Sequence, residues 1–295
     1  MMAGVTALAT RAETRARTLA ILWMCLAVLL WAVMEEALPR FFARPYSPFQ
    51  IVWARYATHI VFMLIVFAPR RGLKLARTNR LGWQLLRAAT MIGMPLFFVL
   101  GVVRMPLNDA LSIFWVAPLI VMGVAALWLR ERVSWQQWLA ALAGFVGALL
   151  ILQPADLTRR AAVWLLGMAL CFGLYLLMSR RLRDEDIYTS LFYTALGVLI
   201  PFSFGLPFFW QTPTIRDALV MMAIGLIGFG GLFAFDKAVE LAPASAAAPF
   251  IFTQPVWAAV LHYLLTRSWP GGLTILGVLV IAASGLYLFW LNVSD

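Results

Sequence analysis

Five ionisable side chains fall inside runs of apolar residues: Glu35 and Glu36 in LLWAVMEEALPR, Arg55 and His59 in IVWARYATHIV, and His262 in AVLHYLL. In hydrocarbon such a group costs about 2.5–3.5 kcal/mol to insert at the centre of a span, so its presence calls for a partner or a task. Arg55 and His59 are four residues apart and share a helical face. A Glu35 or Glu36 to Arg55 ion pair would satisfy both partners; the other reading is a carboxylate that attracts a cationic substrate or accepts a coupling proton. His59 and His262 are the only histidines. Imidazole titrates near neutrality, so a proton relay stands beside the plainer reading of hydrogen-bonded packing.

Uncharged candidates accompany them. Pro118 and Pro255 sit inside apolar runs, where a proline frees the carbonyl four residues back, here that of Phe114 and of Ile251. Such a carbonyl is tolerated in a membrane where it faces protein or a wet cavity, so the two prolines mark either packing kinks or the lining of a path. Trp115 and Phe252 each stand three residues before their proline, and Trp31 and Tyr175 form a looser pair. Aromatic walls with a few polar groups, such as the amide of Gln254, suit an amphipathic organic solute; plain packing is the competing reading. Asp236, Lys237 and Glu240 form a charged group that reads as a solvated helix end or a gate.

Other chemistries find no support. No glycine-rich loop with GK[ST] is present, and no Ser/His/Asp set or His/Cys cluster. Cys25 and Cys171 both lie in apolar runs and read as small buried hydrophobes, with no disulfide and no metal. The expectation is a protein without cofactor and without enzymatic activity.

The elements that must hold these residues follow from composition. Hydrophobic residues make up 63% of the 295-residue chain and charged ones 12%, against roughly 45–50% and about 25% in soluble proteins. Lipid must be part of the solvent. With about 20 apolar residues needed per crossing, spans are expected near 19–38, 48–68, 83–104, 107–128, 135–152, 161–179, 187–209, 217–239, 244–265 and 272–291. The fold class is therefore an all-α integral membrane protein of ten spans. The run after Arg11, Arg15 and Arg17 is too long for a signal-peptide core and is expected to stay as the first span, preceded by a cytoplasmic segment 1–18.

The net charge of +10 is spread in short clusters between the apolar runs, a topology signal rather than a nucleic-acid face. An N-terminus in the cytoplasm places fourteen Lys and Arg inside, among them Arg70, Arg71, Arg130, Arg180 and Arg183, against seven outside, including Arg104, Arg159, Arg160 and Arg267. Both termini are then cytoplasmic.

A repeat organises the spans. FFVLGVVRMPLNDALSIFWVAPLIV aligns without a gap on LFAFDKAVELAPASAAAPFIFTQPVWA, pairing Pro106 with Pro243 and Pro118 with Pro255, both 137 positions apart. Phe98 and Phe235, Ala110 and Ala247, Arg130 and Arg267, and Leu139 and Leu276 match at the same offset. Five spans per half is an odd number, so the halves 19–152 and 161–291 enter the membrane with opposite orientation, an arrangement typical of carriers that rock about a midplane site.

The stretches MPLNDALSIFWVAPLIVMGVAALWLRERVSWQQWLAALAGFVGALLILQP and KAVELAPASAAAPFIFTQPVWAAVLHYLL, with GVLVIAASGLYL, resemble EamA-like members of the drug/metabolite transporter superfamily. The resemblance covers nearly the whole chain and implies ten helices in a five-plus-five inverted repeat. Relatives usually carry an acidic residue after the fourth and ninth spans; Glu131 fits, while Ser268 fills the second slot. YSPFQIVWARY and MPLNDALSIFWVAPL resemble bacterial permeases for S-adenosylmethionine-like or riboflavin-like solutes. The function expected is secondary transport of a small amphipathic metabolite, amino-acid-like, nucleoside-like or drug-like, across the inner membrane by alternating access. A lipid or headgroup flippase and a membrane-embedded enzyme are the competing classes. The partners called for are the metabolite and the lipid bilayer, with a coupling proton or exchanged solute left open and nucleic acid excluded.

Overall fold

The computed structural model describes residues 2–155 and 159–294, with side chains for 13–106, 109–155 and 162–291. Arg11, Arg159 and Arg160 of the charge count lie outside the described side chains. Among the described residues ten helices are long and apolar enough to cross a membrane. In chain order the first to fifth spans are Glu13–Phe41, Pro48–Val66, Leu81–Val102, Asp109–Trp128 and Trp135–Leu152; the sixth to tenth are Ala162–Arg181, Ile187–Phe209, Ile215–Leu241, Ala244–Thr266 and Gly272–Leu291. Each matches an apolar run of the sequence to within a few residues, because about 20 residues of helix are what hydrocarbon thickness demands.

Local chemistry sets the ends. Ser134 accepts from the Gln137 amide while the Gln137 side chain takes the Ser134 N–H, a capping box that starts the fifth span. Asp186 accepts from the Thr189 amide to start the seventh, and Thr214 from the Asp217 amide to start the eighth. Gln153 and Arg267 take left-handed conformations just past the fifth and ninth spans and stop them there.

Three spans are not uniform helices. The first changes pitch, with a π-helical stretch Val33–Ala37 followed by a 3-10 turn Leu38–Phe41, and Glu35 and Glu36 ride on the π segment. The fourth breaks into Leu107–Phe114 and Ala117–Trp128. The ninth runs as Ala244–Ala247, a 3-10 stretch Ala248–Phe252, and Thr253–Thr266. Pro118 and Pro255 therefore occupy the first turn of the second half of their spans, where a missing N–H costs little. The expected mid-helix kinks are breaks instead. The expected orphan at Ile251 is taken up by the Thr253 N–H.

The packing follows a pseudo-two-fold relation between the halves. The first span lies on the eighth as the third lies on the sixth, and the second on the eighth as the third on the seventh. The second and seventh, fourth and ninth, and fifth and tenth pair with their own counterparts. Exchanging the halves maps this set of pairings onto itself, as an inverted repeat requires. The fifth and tenth meet backbone to backbone: an ideal Cβ at Gly277 would fall 2.5 Å from the Gly147 carbonyl oxygen. Much of the apolar surface, including Leu73, Leu127, Phe204 and Phe208, faces outward, as lipid solvation allows.

Candidate functional site

The two broken spans cross at the pseudo-two-fold, and their matched aromatics meet there. The ring centroids of Trp115 and Phe252 are 6.2 Å apart with the planes inclined at 38°. From Trp115 the contacts run through Phe114 (5.6 Å) to Phe172 (5.6 Å). Phe172 meets the edge of Trp31 at 5.9 Å, and Trp31 stacks on Phe235 at 5.2 Å and 25°. Tyr175 reaches Phe235 at 6.2 Å. The fold thus brings Trp31, Trp115, Tyr175 and Phe252 into one buried aromatic cluster, held together by Phe114, Phe172 and Phe235, which the sequence reading did not select.

The polar candidates divide into two groups. Gln254 donates to the Glu35 carboxylate at 2.9 Å, joining the π-helical turn of the first span to the ninth. Glu36 pairs with Arg40 at 3.4 Å in an exposed i,i+4 contact, and Arg40 also meets His262 Nδ1 at 3.2 Å. The ion pair expected between Glu35 or Glu36 and Arg55 is not closed to within 4.0 Å, although Arg55 lies near enough to Glu35 to act on it electrostatically. Arg55 lies against the Tyr56 ring, 5.3 Å from its centroid. His59 is fully buried, edge-on to Phe229 at 4.9 Å, and its ring nitrogens have no hydrogen-bond partner among the described residues.

The strongest buried electrostatic contact was missed by the sequence reading. Arg87 in the third span is wholly buried and pairs with Asp236 of the eighth. It also donates to the Tyr175 hydroxyl at 2.6 Å and, through Nε, to Ser179 Oγ at 2.9 Å. Asp236 is 6% exposed and so is no solvated helix end; the solvated contact is Lys237 with Glu240, at 2.8 Å. Arg87 sits inside an apolar run as Arg55 does, so the same insertion argument identifies it.

Beside this pair, on the face that carries most of the basic loops, Glu131 Oε1 accepts from the Ala244 amide at 3.1 Å, while Oε2 accepts from the Ser245 amide at 2.9 Å and its hydroxyl at 2.7 Å. Arg180 approaches the same carboxylate at 3.8 Å and donates to the carbonyls of Val239 and Glu240 at 2.7 and 3.0 Å. The fourth-to-fifth loop is so tied to the sixth, eighth and ninth spans. On the opposite face Asp217 accepts from the Ala43 amide at 2.8 Å and the Tyr46 hydroxyl at 2.7 Å. A cavity of about 350 Å³ lies apart from these residues, between the second, third and seventh spans, lined by apolar side chains such as Phe49, Ile92, Pro201 and Phe209.

Ten spans in two oppositely oriented halves, closed over a buried aromatic and polar centre, define a multi-pass membrane protein of the inverted-repeat transporter class. Residues 18–153 and 159–290 each match the EamA-like transporter family. The chain belongs to that family. It is 28% identical over 276 residues to a riboflavin transporter of Vibrio cholerae, covering 90% of this chain and 91% of the relative. It is 23% identical over 275 residues to an S-adenosylmethionine uptake transporter of Rickettsia bellii, covering 91% and 92%. A crystal structure of a protein 18% identical to it superposes with a TM-score of 0.81 over 92% of this chain and 97% of that one, a likeness of fold.

Proposed function

We propose that this chain is a secondary carrier that moves a small amphipathic metabolite, nucleoside-like, amino-acid-like or drug-like, across a bacterial inner membrane by alternating access. The observation that carries the reading is the meeting of Trp115 and Phe252 at the crossing of two broken spans. Broken helices at the junction of inverted halves are where carriers hold their solute, because irregular backbone is tolerated only where it faces protein or a wet path. Trp31, Tyr175 and the two crossing aromatics supply stacking surface, and Glu35 with Gln254 supplies polar contacts. The names of the relatives in Vibrio and Rickettsia, a riboflavin and an S-adenosylmethionine transporter, support a solute with a heteroaromatic ring.

In this reading the halves 19–152 and 161–291 are the moving units, the basic face is cytoplasmic, and both termini lie there. Glu36, Arg40 and His262 line the outer rim, while Arg87 with Asp236 closes the inner end. Uptake of labelled riboflavin and S-adenosylmethionine into proteoliposomes, with and without a pH gradient, tests it. Flux of either that falls at least tenfold in Trp115→Ala is the expected outcome. No flux of any solute in a broad metabolite panel, together with rapid scrambling of lipid headgroups, would replace the carrier by a flippase.

A further inference from the structure

The glycines Gly228 and Gly231 of the eighth span form a flat seam against which side chains of the first and second spans lie. An ideal Cβ at Gly228 would fall 2.6 Å from Arg55 Nε, and one at Gly231 would fall 2.6 Å from Trp31 Nε1. A helix interior spends its own amides and carbonyls on itself, so this platform offers no hydrogen bond back. Trp31 Nε1, Arg55 Nε and both ring nitrogens of His59 are accordingly buried without a hydrogen-bond partner among the described residues. Gly228 and Gly231 are about one turn, or about 4.5 Å, apart along the axis of their span, and each faces one of the two donors. Arg55 and His59 are also one turn apart on their own span.

Arg87 gives the contrast. Its guanidinium has a carboxylate, a phenol and a hydroxyl as partners, with Nη1 alone unpaired, whereas Arg55 acts on Glu35 only from beyond 4.0 Å and has no carboxylate closer among the described residues. Arg55 is only partly buried, and of its nitrogens Nε is the one closed off from both solvent and acceptors. Burying several donors without acceptors is unfavourable, and proteins keep such arrangements mostly where something else supplies the acceptors. Indole N–H and guanidinium groups only donate, and imidazole provides at least one further donor. What the constellation lacks is oxygen lone pairs beside an aromatic wall, since Trp31 is already stacked on Phe235.

We propose that Trp31, Arg55 and His59 form an acceptor-reading subsite of the transport path, which selects aromatic solutes whose edge presents oxygen acceptors, whether carboxylate, phosphate or ring carbonyl. This rests on the carrier reading above. Arg55 is the specificity-determining residue: its fork matches an oxyanion or paired carbonyls and repels a cationic edge. Trp31 Nε1 and His59 complete the recognition from either side.

The test uses the purified full chain in lipid nanodiscs and a set of probes with one ring and different charge: indole-3-acetate, indole and tryptamine, with riboflavin as a neutral solute bearing ring carbonyls. Indole-3-acetate and riboflavin are expected to raise the melting temperature at concentrations at least tenfold lower than tryptamine does. Arg55→Gln should abolish that preference, and Arg55→Lys should keep part of it for indole-3-acetate but lose it for riboflavin. Trp31→Phe keeps an aromatic face and removes the donor, so it should weaken indole-3-acetate by a larger factor than indole, which has no oxygen acceptor to lose. Equal stabilisation by tryptamine and indole-3-acetate, no stabilisation by indole-3-acetate at all, or an unchanged preference in a folded Arg55→Gln protein would overturn the subsite. Flux into proteoliposomes separates the two ideas. Transport without charge preference keeps the carrier and removes the subsite, whereas a charge preference in binding with no flux of any probe keeps the subsite and removes the carrier.

Discussion

At the scale of single residues, the arginines carry the instructive contrast. Arg87 is paired through Nε and Nη2, with only Nη1 left without a partner among the described residues, and breaking a buried pair leaves an uncompensated charge at a cost of about 3–5 kcal/mol. Asp236→Ala should therefore lower stability by about that much, read as a large fall in melting temperature of the detergent-purified protein. The double change Arg87→Met with Asp236→Leu should recover most of it, because apolar groups of similar size need no partner. Recovery below half would mean that the pair does more than neutralise itself. The sequence revealed Arg55 and not Arg87, although both stand in apolar runs, and it left Asp236 as either a wet helix end or a gate. The reason is physical: an acid five residues from the end of the eighth span is a turn and a half inside, and only the tertiary partner reveals that it is dry. Pairings between distant spans, such as Glu35 with Gln254, have no local signal at all.

At the scale of elements, all ten spans were legible because hydrocarbon thickness and backbone satisfaction leave one solution for a long apolar run. Their irregularities were half legible. Pro118 and Pro255 announced a disturbance, but a proline tolerates the first turn of a helix better than its middle, so the spans break before it instead of bending around it. The π turn that carries Glu35 had no sequence marker. Where spans touch through glycine, the structure makes a sharper forecast. Gly277→Ala would push a Cβ to 2.5 Å from the Gly147 carbonyl oxygen, and backbone cannot give way cheaply. The expected loss is about 1–3 kcal/mol. Gly285 lies in the same span with nothing within 4 Å of an added Cβ, so Gly285→Ala should be neutral or gain about 0.5–1 kcal/mol from helix propensity. Thermal unfolding of the two variants side by side checks the contact between the fifth and tenth spans, and equal effects would contradict it.

At the scale of the whole molecule, the two halves agree in path but not in one residue. Glu131 and Ser268 occupy equivalent positions 137 apart, yet only Glu131 can accept charge-assisted hydrogen bonds. It takes three from the start of the ninth span, at Ala244 and Ser245, and holds Arg180 beside them. Ser268 turns instead to Thr266 and His262. In a symmetric carrier a closure on one face is matched by an equal closure on the other when the halves exchange conformations. Here the basic face has a carboxylate to close with and the opposite face has a hydroxyl, so the resting molecule should favour the state closed at the basic face. Hydrogen bonds to a charged group contribute about 1.5–3 kcal/mol in total effect each, and 1.4 kcal/mol is about tenfold in a population ratio. Glu131→Gln, which keeps size and one acceptor, should therefore raise the open population at the basic face about tenfold. A cysteine placed at Ala238, buried beneath that closure, in a background with Cys25 and Cys171 changed to Ser, reports this through its labelling rate with a maleimide applied to that face. Ser268→Glu alone should speed the same labelling, since a carboxylate that holds the opposite face closed favours the state open at the basic face; a rate that does not rise would show that no such closure forms there. Labelling unchanged by Glu131→Gln would show that the closure is held by Arg87 and Asp236 alone, and the broken symmetry at 131 and 268 would then have no conformational consequence.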